Sequence, residues 1–95
     1  MKLTKLLQDY LSSYDYKQLR DETKVQYKYF ANILMNTEVE GKALYLLDCD
    51  KITTRMAKTA YNEWCDRGIH LANHAISITR ILFNHGVREE LCQTN

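Results

Sequence analysis

The stretch Gly68–Glu89, GIHLANHAISITRILFNHGVRE, decides how this chain is read. Ala72, Ala75, Ile76, Thr79, Leu82, Phe83 and Gly86 share one face at roughly 100° per residue, so the spacing predicts a long helix from His70 to about Glu89. On the opposite side, His70, Asn73, His74, Ser77, Arg80, Asn84 and Arg88 project within about a third of the circumference, interrupted by Ile81. Each polar member can donate a hydrogen bond and none is a carboxylate. Two histidines four residues apart raise the question of a metal. HLANH, however, lacks the glutamate of the HExxH pattern, and His85 points elsewhere on the helix, so no third ligand is at hand and no metal is expected. Exposed helix faces usually mix both signs of charge; a donor-only face suits phosphates and base edges better. The plainer reading is an ordinary solvated face.

The rest of the chain continues the helical pattern. Leu3, Leu6, Leu7, Tyr10, Leu11 and Tyr14 form one amphipathic stripe of a first helix, and DYKQLRDE connects it to the next. A second helix is predicted from Thr23, where TKVQ fits a capping box with Thr23 as N-cap, to Asn36. Its inner stripe is Tyr27, Phe30, Ala31 and Leu34. Val25, Tyr29 and Ile33 add a second stripe, so this helix is expected to be the most buried. TEVEGKALYLLDCDK, 37–51, has no helical stripe and reads as a long buried connection, because no partner strand is evident. A third helix starts at the N-cap Thr53 and runs to Arg67 on Ile52, Met56, Ala60 and Trp64. Gly68 follows as a left-handed C′ glycine, and Gly86 implies close helix packing. The predicted class is all-α, four main helices in one domain spanning 1–95.

Composition narrows the function. The 95 residues hold no proline and no apolar run long enough to cross a membrane or act as a secretory signal, so no membrane association is expected. Cys49, Cys65 and Cys92 form no CxxC pair and read as reduced thiols of a cytosolic protein. The net charge of +1 hides an uneven distribution. Segment 37–66 carries four Lys/Arg against six acids, whereas 67–88 carries three arginines, three histidines and no acid. Lys24 and Lys28 stand in the first turns of the second helix, where a phosphate held with the free N–H groups would offset their conflict with the helix dipole. The tyrosines lie mostly on inner stripes. No nucleophile–base or paired-carboxylate arrangement can be assembled, so neither catalysis nor a cofactor is expected in this chain.

The ordered set DETKVQYKYFANIL, DKITTRMAKTAYNEW and RGIHLANHAISITRILFNHGVREELCQTN resembles the core-binding domain of phage integrases, the tyrosine recombinases. The matching features are Thr23 and Tyr27, Ile52 and Thr53, Gly68, Ala72 and Asn73, Arg80 before Ile81–Leu82–Phe83, and Asn95 where the family continues into proline. Glu90 departs from the family's turn glycine, and Gly86 from its alanine. The resemblance covers nearly the whole chain. It implies a SAM-like bundle of two helical hairpins packed crosswise, forming half of a clamp around double-stranded DNA at a recombination core site. It implies that the second and fourth helices face the DNA, and the contacts expected on them are Thr23, Lys24, Lys28, His70, Asn73, His74, Ser77 and Arg80. It also implies a catalytic domain of the same chain carrying the reactive residues, a tetramer of recombinase protomers on DNA, and the bacterial cytoplasm as location. The competing expectation is a helical protein-interaction module that binds no nucleic acid.

Overall fold

A computed structural model describes residues 1–93; the expectation for Asn95 lies outside them. The chain is mainly helical: α1 (Leu3–Leu11), α2 (Tyr14–Lys17), α3 (Asp21–Asn36), α4 (Thr54–Arg67) and α5 (Ile69–Arg88), with two short 3-10 turns at Leu44–Leu46 and Cys49–Lys51. No helix among the described residues is long and apolar enough to cross a membrane.

The long helix is the organising element. α5 packs against α1, α3 and α4, and its inner face buries Ala72, Ala75, Ile78, Thr79, Leu82, His85 and Gly86. The expected stripe is thus rotated slightly: Ile78 and His85 are inside, while Ile76 and Phe83 are half-buried. Buried His85 is tied to α1 by a 2.8 Å contact from Nε2 to Asp9 Oδ2, and its ring meets Tyr10 edge-on. Gly86 is required sterically. A Cβ there would stand 2.5 Å from Cys92 Sγ and 3.1 Å from Leu6 Cδ1, so the close approach is to α1 and the C-terminal turn. The Cα extents, 33 × 29 × 17 Å, leave room for only two layers of helices at roughly 8–10 Å spacing, so α5 is covered on one side and open on the other.

Several local expectations are corrected. α1 stops at Leu11, because Ser13 caps a new helix by accepting the Tyr16 N–H. Tyr14 consequently turns out to solvent at 76% exposure and Tyr16 is buried in its place. α3 starts two residues before Thr23, which therefore sits inside the first turn and is not the N-cap; Arg20 holds that position without a side-chain bond. Nor is α3 the most buried helix. Val25 and Tyr29 are 68% and 58% exposed, and only Ala31, Leu34 and Met35 are buried. Of the seven tyrosines only Tyr10 and Tyr16 are fully buried. Thr53 does cap α4 as expected, accepting the Met56 N–H at 3.2 Å. Gly68 has φ +152°, ψ 137°, positive but not left-handed helical, and serves both as the end of α4 and the start of α5.

The connection 37–51 contains a strand pair, contrary to the expectation of a connection without one. β1 (Glu38–Val39) pairs antiparallel with β2 (Lys42–Ala43) across a two-residue turn. Glu40 and Gly41 both have positive φ, 55° and 80°, which is the type I′ geometry whose twist matches a hairpin. The hairpin lays Val39 on α4, and ALYLL becomes a 3-10 turn that buries Leu44. Backbone bonds from Leu3 N–H to Leu47 O and from Cys49 N–H to Met1 O then stitch the N-terminus to this connection.

α5 ends in a Schellman turn. Leu91 N–H reaches Gly86 O at 2.7 Å and Glu90 N–H reaches Val87 O at 3.1 Å. Its C′ residue is Glu90, with φ 61°, the conformation in which glycine is favoured. A left-handed non-glycine residue costs about 1–2 kcal/mol, part of which glycine returns through its own entropy loss. Glu90→Gly is therefore expected to raise stability by about 0.5–1 kcal/mol. Urea denaturation followed by circular dichroism measures it, and a lower midpoint would refute this view of the turn.

Candidate nucleic-acid interface

The open side of α5 presents the residues its sequence pattern suggested. His70, Asn73, His74, Ser77 and Arg80 are all exposed. They are supported by distinct neighbours. His74 stacks on Phe30 of α3, ring centroids 4.8 Å apart and 16° from parallel. Ser77 donates to Asn73 O at 2.8 Å, and Tyr61 of α4 donates to Asn73 Oδ1 at 3.1 Å. The strip thus runs between α3 on one flank and α4 on the other.

On the α4 flank a groove forms. Thr54, Lys58 and Tyr61 make one wall and Asn73, Ser77 and Arg80 the other, with Ala57 and Ile76 as floor. A second hollow continues it toward Thr53, Thr79, Phe83 and Asn84, and Arg80 borders both. No carboxylate lines either hollow, and Arg80 makes no ion pair among the described residues. The Tyr61 phenol is held above its ordinary pKa, first by the neighbouring Cys65 side chain and then by burial, while the positive charge of Arg80 opposes the shift. Lys58 is the cation that reading the sequence missed. Thr54, Lys58 and Tyr61 follow i, i+4, i+7, a polar stripe that becomes a groove wall only when α5 lies beside it.

The other end of the strip is less free than the acid-free sequence implied. Arg88 Nη2 donates to Asp15 Oδ2 of α2 at 2.8 Å, so a carboxylate from a distant segment closes the strip there. The α3 candidates are also divided. At 100° per residue, Thr23 lies about 20° from Phe30 around α3, on the flank that meets His74, whereas Lys28 lies about 160° from Phe30. Lys24 faces α2: its carbonyl accepts from the Tyr16 hydroxyl at 3.1 Å and its ammonium lies 6.0 Å from the Tyr16 ring centre. Lys24 and Lys28 are thus not joined to the α5 strip.

The helix N-termini are also exchanged relative to the expectation. α3 carries Asp21 and Glu22 in its first turn, which already complement its free N–H groups. α5 has no acid in its first turn and no capping side chain, so of these two helices it is the one beside His70 whose positive end is uncompensated. The chemistry available along this side is anion binding: Lys58, Arg80, hydroxyl and amide donors, and open helix N–H groups. Compared with models of protein families, with curated proteins and with solved structures, the chain matches none.

Proposed function

We propose that this chain is a non-catalytic, double-stranded DNA-binding domain, and specifically the core-binding half-clamp of a tyrosine recombinase. The observation that carries the first part is the acid-free groove in which Lys58 of α4 faces Arg80, Ser77 and Asn73 of α5. Phosphates are neutralised by the two cations and bonded by the hydroxyls, while Arg80 has the paired donors that read a guanine edge and Asn73, whose Oδ1 accepts from Tyr61, offers its amide N–H groups. The open N-terminus of α5 adds a site for a further phosphate next to His70.

The recombinase assignment rests on the ordered resemblance of the sequence. Supporting it, Glu90 adopts the left-handed turn at the position the family fills with glycine. On this reading the helices form the SAM-like pair of crossed hairpins. The reactive arginines, histidine and tyrosine belong to a separate catalytic domain, protomers assemble as a tetramer on DNA, and the setting is the bacterial cytoplasm. A second reading, a protein-interaction module, is favoured by one observation: Val25 and Tyr29 are exposed side by side on the outer face of α3.

Salt dependence separates the two. Binding of a fluorescent mixed-sequence duplex is expected to weaken steeply with salt, with log K falling by about 0.9 per log unit of salt for each phosphate neutralised. A flat response, or no binding at low salt, rejects the DNA reading.

A further inference from the structure

Cys49 and Cys92 are 43 positions apart in sequence, yet their sulfurs lie 2.9 Å from each other, both buried. Two structures bring them there. Cys49 opens the 3-10 turn Cys49–Lys51, held by its own N–H on Met1 O at 2.8 Å. Cys92 follows the Schellman turn that ends α5, its N–H on Gly86 O at 3.0 Å, and the next residue, Gln93, donates its N–H to Asp50 Oδ1 at 2.9 Å. The missing side chain of Gly86 makes the space in which the Cys92 sulfur sits. Cys65 is elsewhere, beside Tyr61 on α4.

Two chemistries fit paired cysteines, a metal and a disulfide. With Asp50 the pair forms a three-donor cluster spanning 4.8 Å. Two thiolates on one tetrahedral zinc stand about 3.8 Å apart, given Zn–S bonds of about 2.3 Å, so a metal would have to force these sulfurs apart inside a packed site. It would also need two buried thiolates, whereas burial, followed by the hydrogen bond with Cys49, pushes the Cys92 thiol up to about 12. Asp50 is already engaged by Gln93. A disulfide is neutral and apolar, which is what a buried site accommodates.

We propose that Cys49 and Cys92 are an oxidation site, closing to an intramolecular disulfide that fastens the turn after α5 to the turn before α4. The oxidant is a small-molecule disulfide such as oxidised glutathione. One protein thiolate attacks a sulfur of that disulfide, whose S–S bond breaks and releases one small thiol. The second protein thiolate then attacks the protein-bound sulfur and releases the other. Two protein thiols are oxidised, one small disulfide is reduced to two thiols, and the two protons leave on those thiols. Because both sulfurs are buried, exchange passes through local opening of residues 89–93, the turn that follows α5. In a reducing cytosol the pair stays reduced, and the tie forms when the thiol pool is oxidised.

The test uses the whole chain. After equilibration with oxidised glutathione and unfolding, the count of titratable thiols is expected to fall from three to one. The mass should drop by two hydrogens in a monomeric product, and digestion should link the peptides of Cys49 and Cys92. The oxidised chain should melt on the order of 10–20 °C above the reduced one, since the bond closes a long loop. Cys65→Ser should leave all of this intact, and Cys92→Ser should abolish it. Three thiols after oxidation, a link that includes Cys65, or a lower melting point would each overturn the proposal. So would a stoichiometric rise in melting point when zinc alone is added to the reduced chain.

Discussion

Trp64→Ala is expected to lower folding stability by about 3–5 kcal/mol, the largest effect of any single truncation considered. Trp64 lies on the inner stripe of α4 at 1% exposure and is the largest fully buried side chain. It does two things at once. Its ring fills the space between α4 and the rest of the core, so alanine leaves a void that the surrounding helices only partly close. Its Nε1–H also donates to Thr37 Oγ1 at 2.8 Å, and the Thr37 hydroxyl donates in turn to Ile33 O at 2.7 Å, which ties α4 to the end of α3 just before the hairpin. A chain of 95 residues has on the order of 5–14 kcal/mol of total stability, so the loss takes a large share of it. Trp64→Phe separates the parts: it keeps most of the volume, drops one hydrogen bond, and should cost about 1–2 kcal/mol. Urea denaturation followed at the helical circular dichroism band measures both. A cost under about 1.5 kcal/mol for the alanine variant would mean that Trp64 is not the centre of the core.

The helical elements were legible in the sequence where a stripe of period 3.6 coincided with a capping signal. Thr53 to Arg67 is of this kind; the course of α5 was legible from its stripe alone, and Gly86 was correctly read as a place of close approach. The hairpin was not legible, because strands of two residues cannot show an alternation and Glu40–Gly41 is a weak version of the Asn–Gly turn signal. Val25 and Tyr29 misled for a different reason. Apolar spacing shows that a stripe exists but not whether a neighbouring helix arrives to cover it. For the same reason Thr23 looked like a cap: the capping-box pattern fits the residue types, but α3 begins earlier at Asp21.

The candidate interface was half legible. The donor-only strip from His70 to Arg80 follows from helix geometry alone and emerges exposed. Its partners do not, because they come from other elements. Lys58 joins it from α4, Phe30 supports it from α3, and Asp15 closes its far end at Arg88. The contact between Cys49 and Cys92 is likewise invisible to spacing, since it depends on two turns separated by the whole of α4 and α5.

The proposed binding of duplex DNA in the groove between α4 and α5 depends most on Arg80. Arg80 projects from the part of α5 whose inner face carries buried Thr79 and Leu82, so the backbone there is anchored and truncation of the guanidinium leaves the core untouched. Arg80→Ala is therefore expected to change folding stability by no more than about 0.5 kcal/mol. Its effect on DNA affinity is expected to be about 1–3 kcal/mol, roughly 5- to 150-fold. If Arg80 reads a base, preference relaxes at one position of the site; if it holds a phosphate, binding to all sequences weakens alike and the salt slope flattens by about one unit. The deciding measurement is a titration of wild type and Arg80→Ala against one duplex, with unfolding curves recorded in parallel. A weaker complex with an unchanged unfolding midpoint is the predicted result. Equal affinities, at equal stability, would contradict it and remove this groove as the DNA-binding surface.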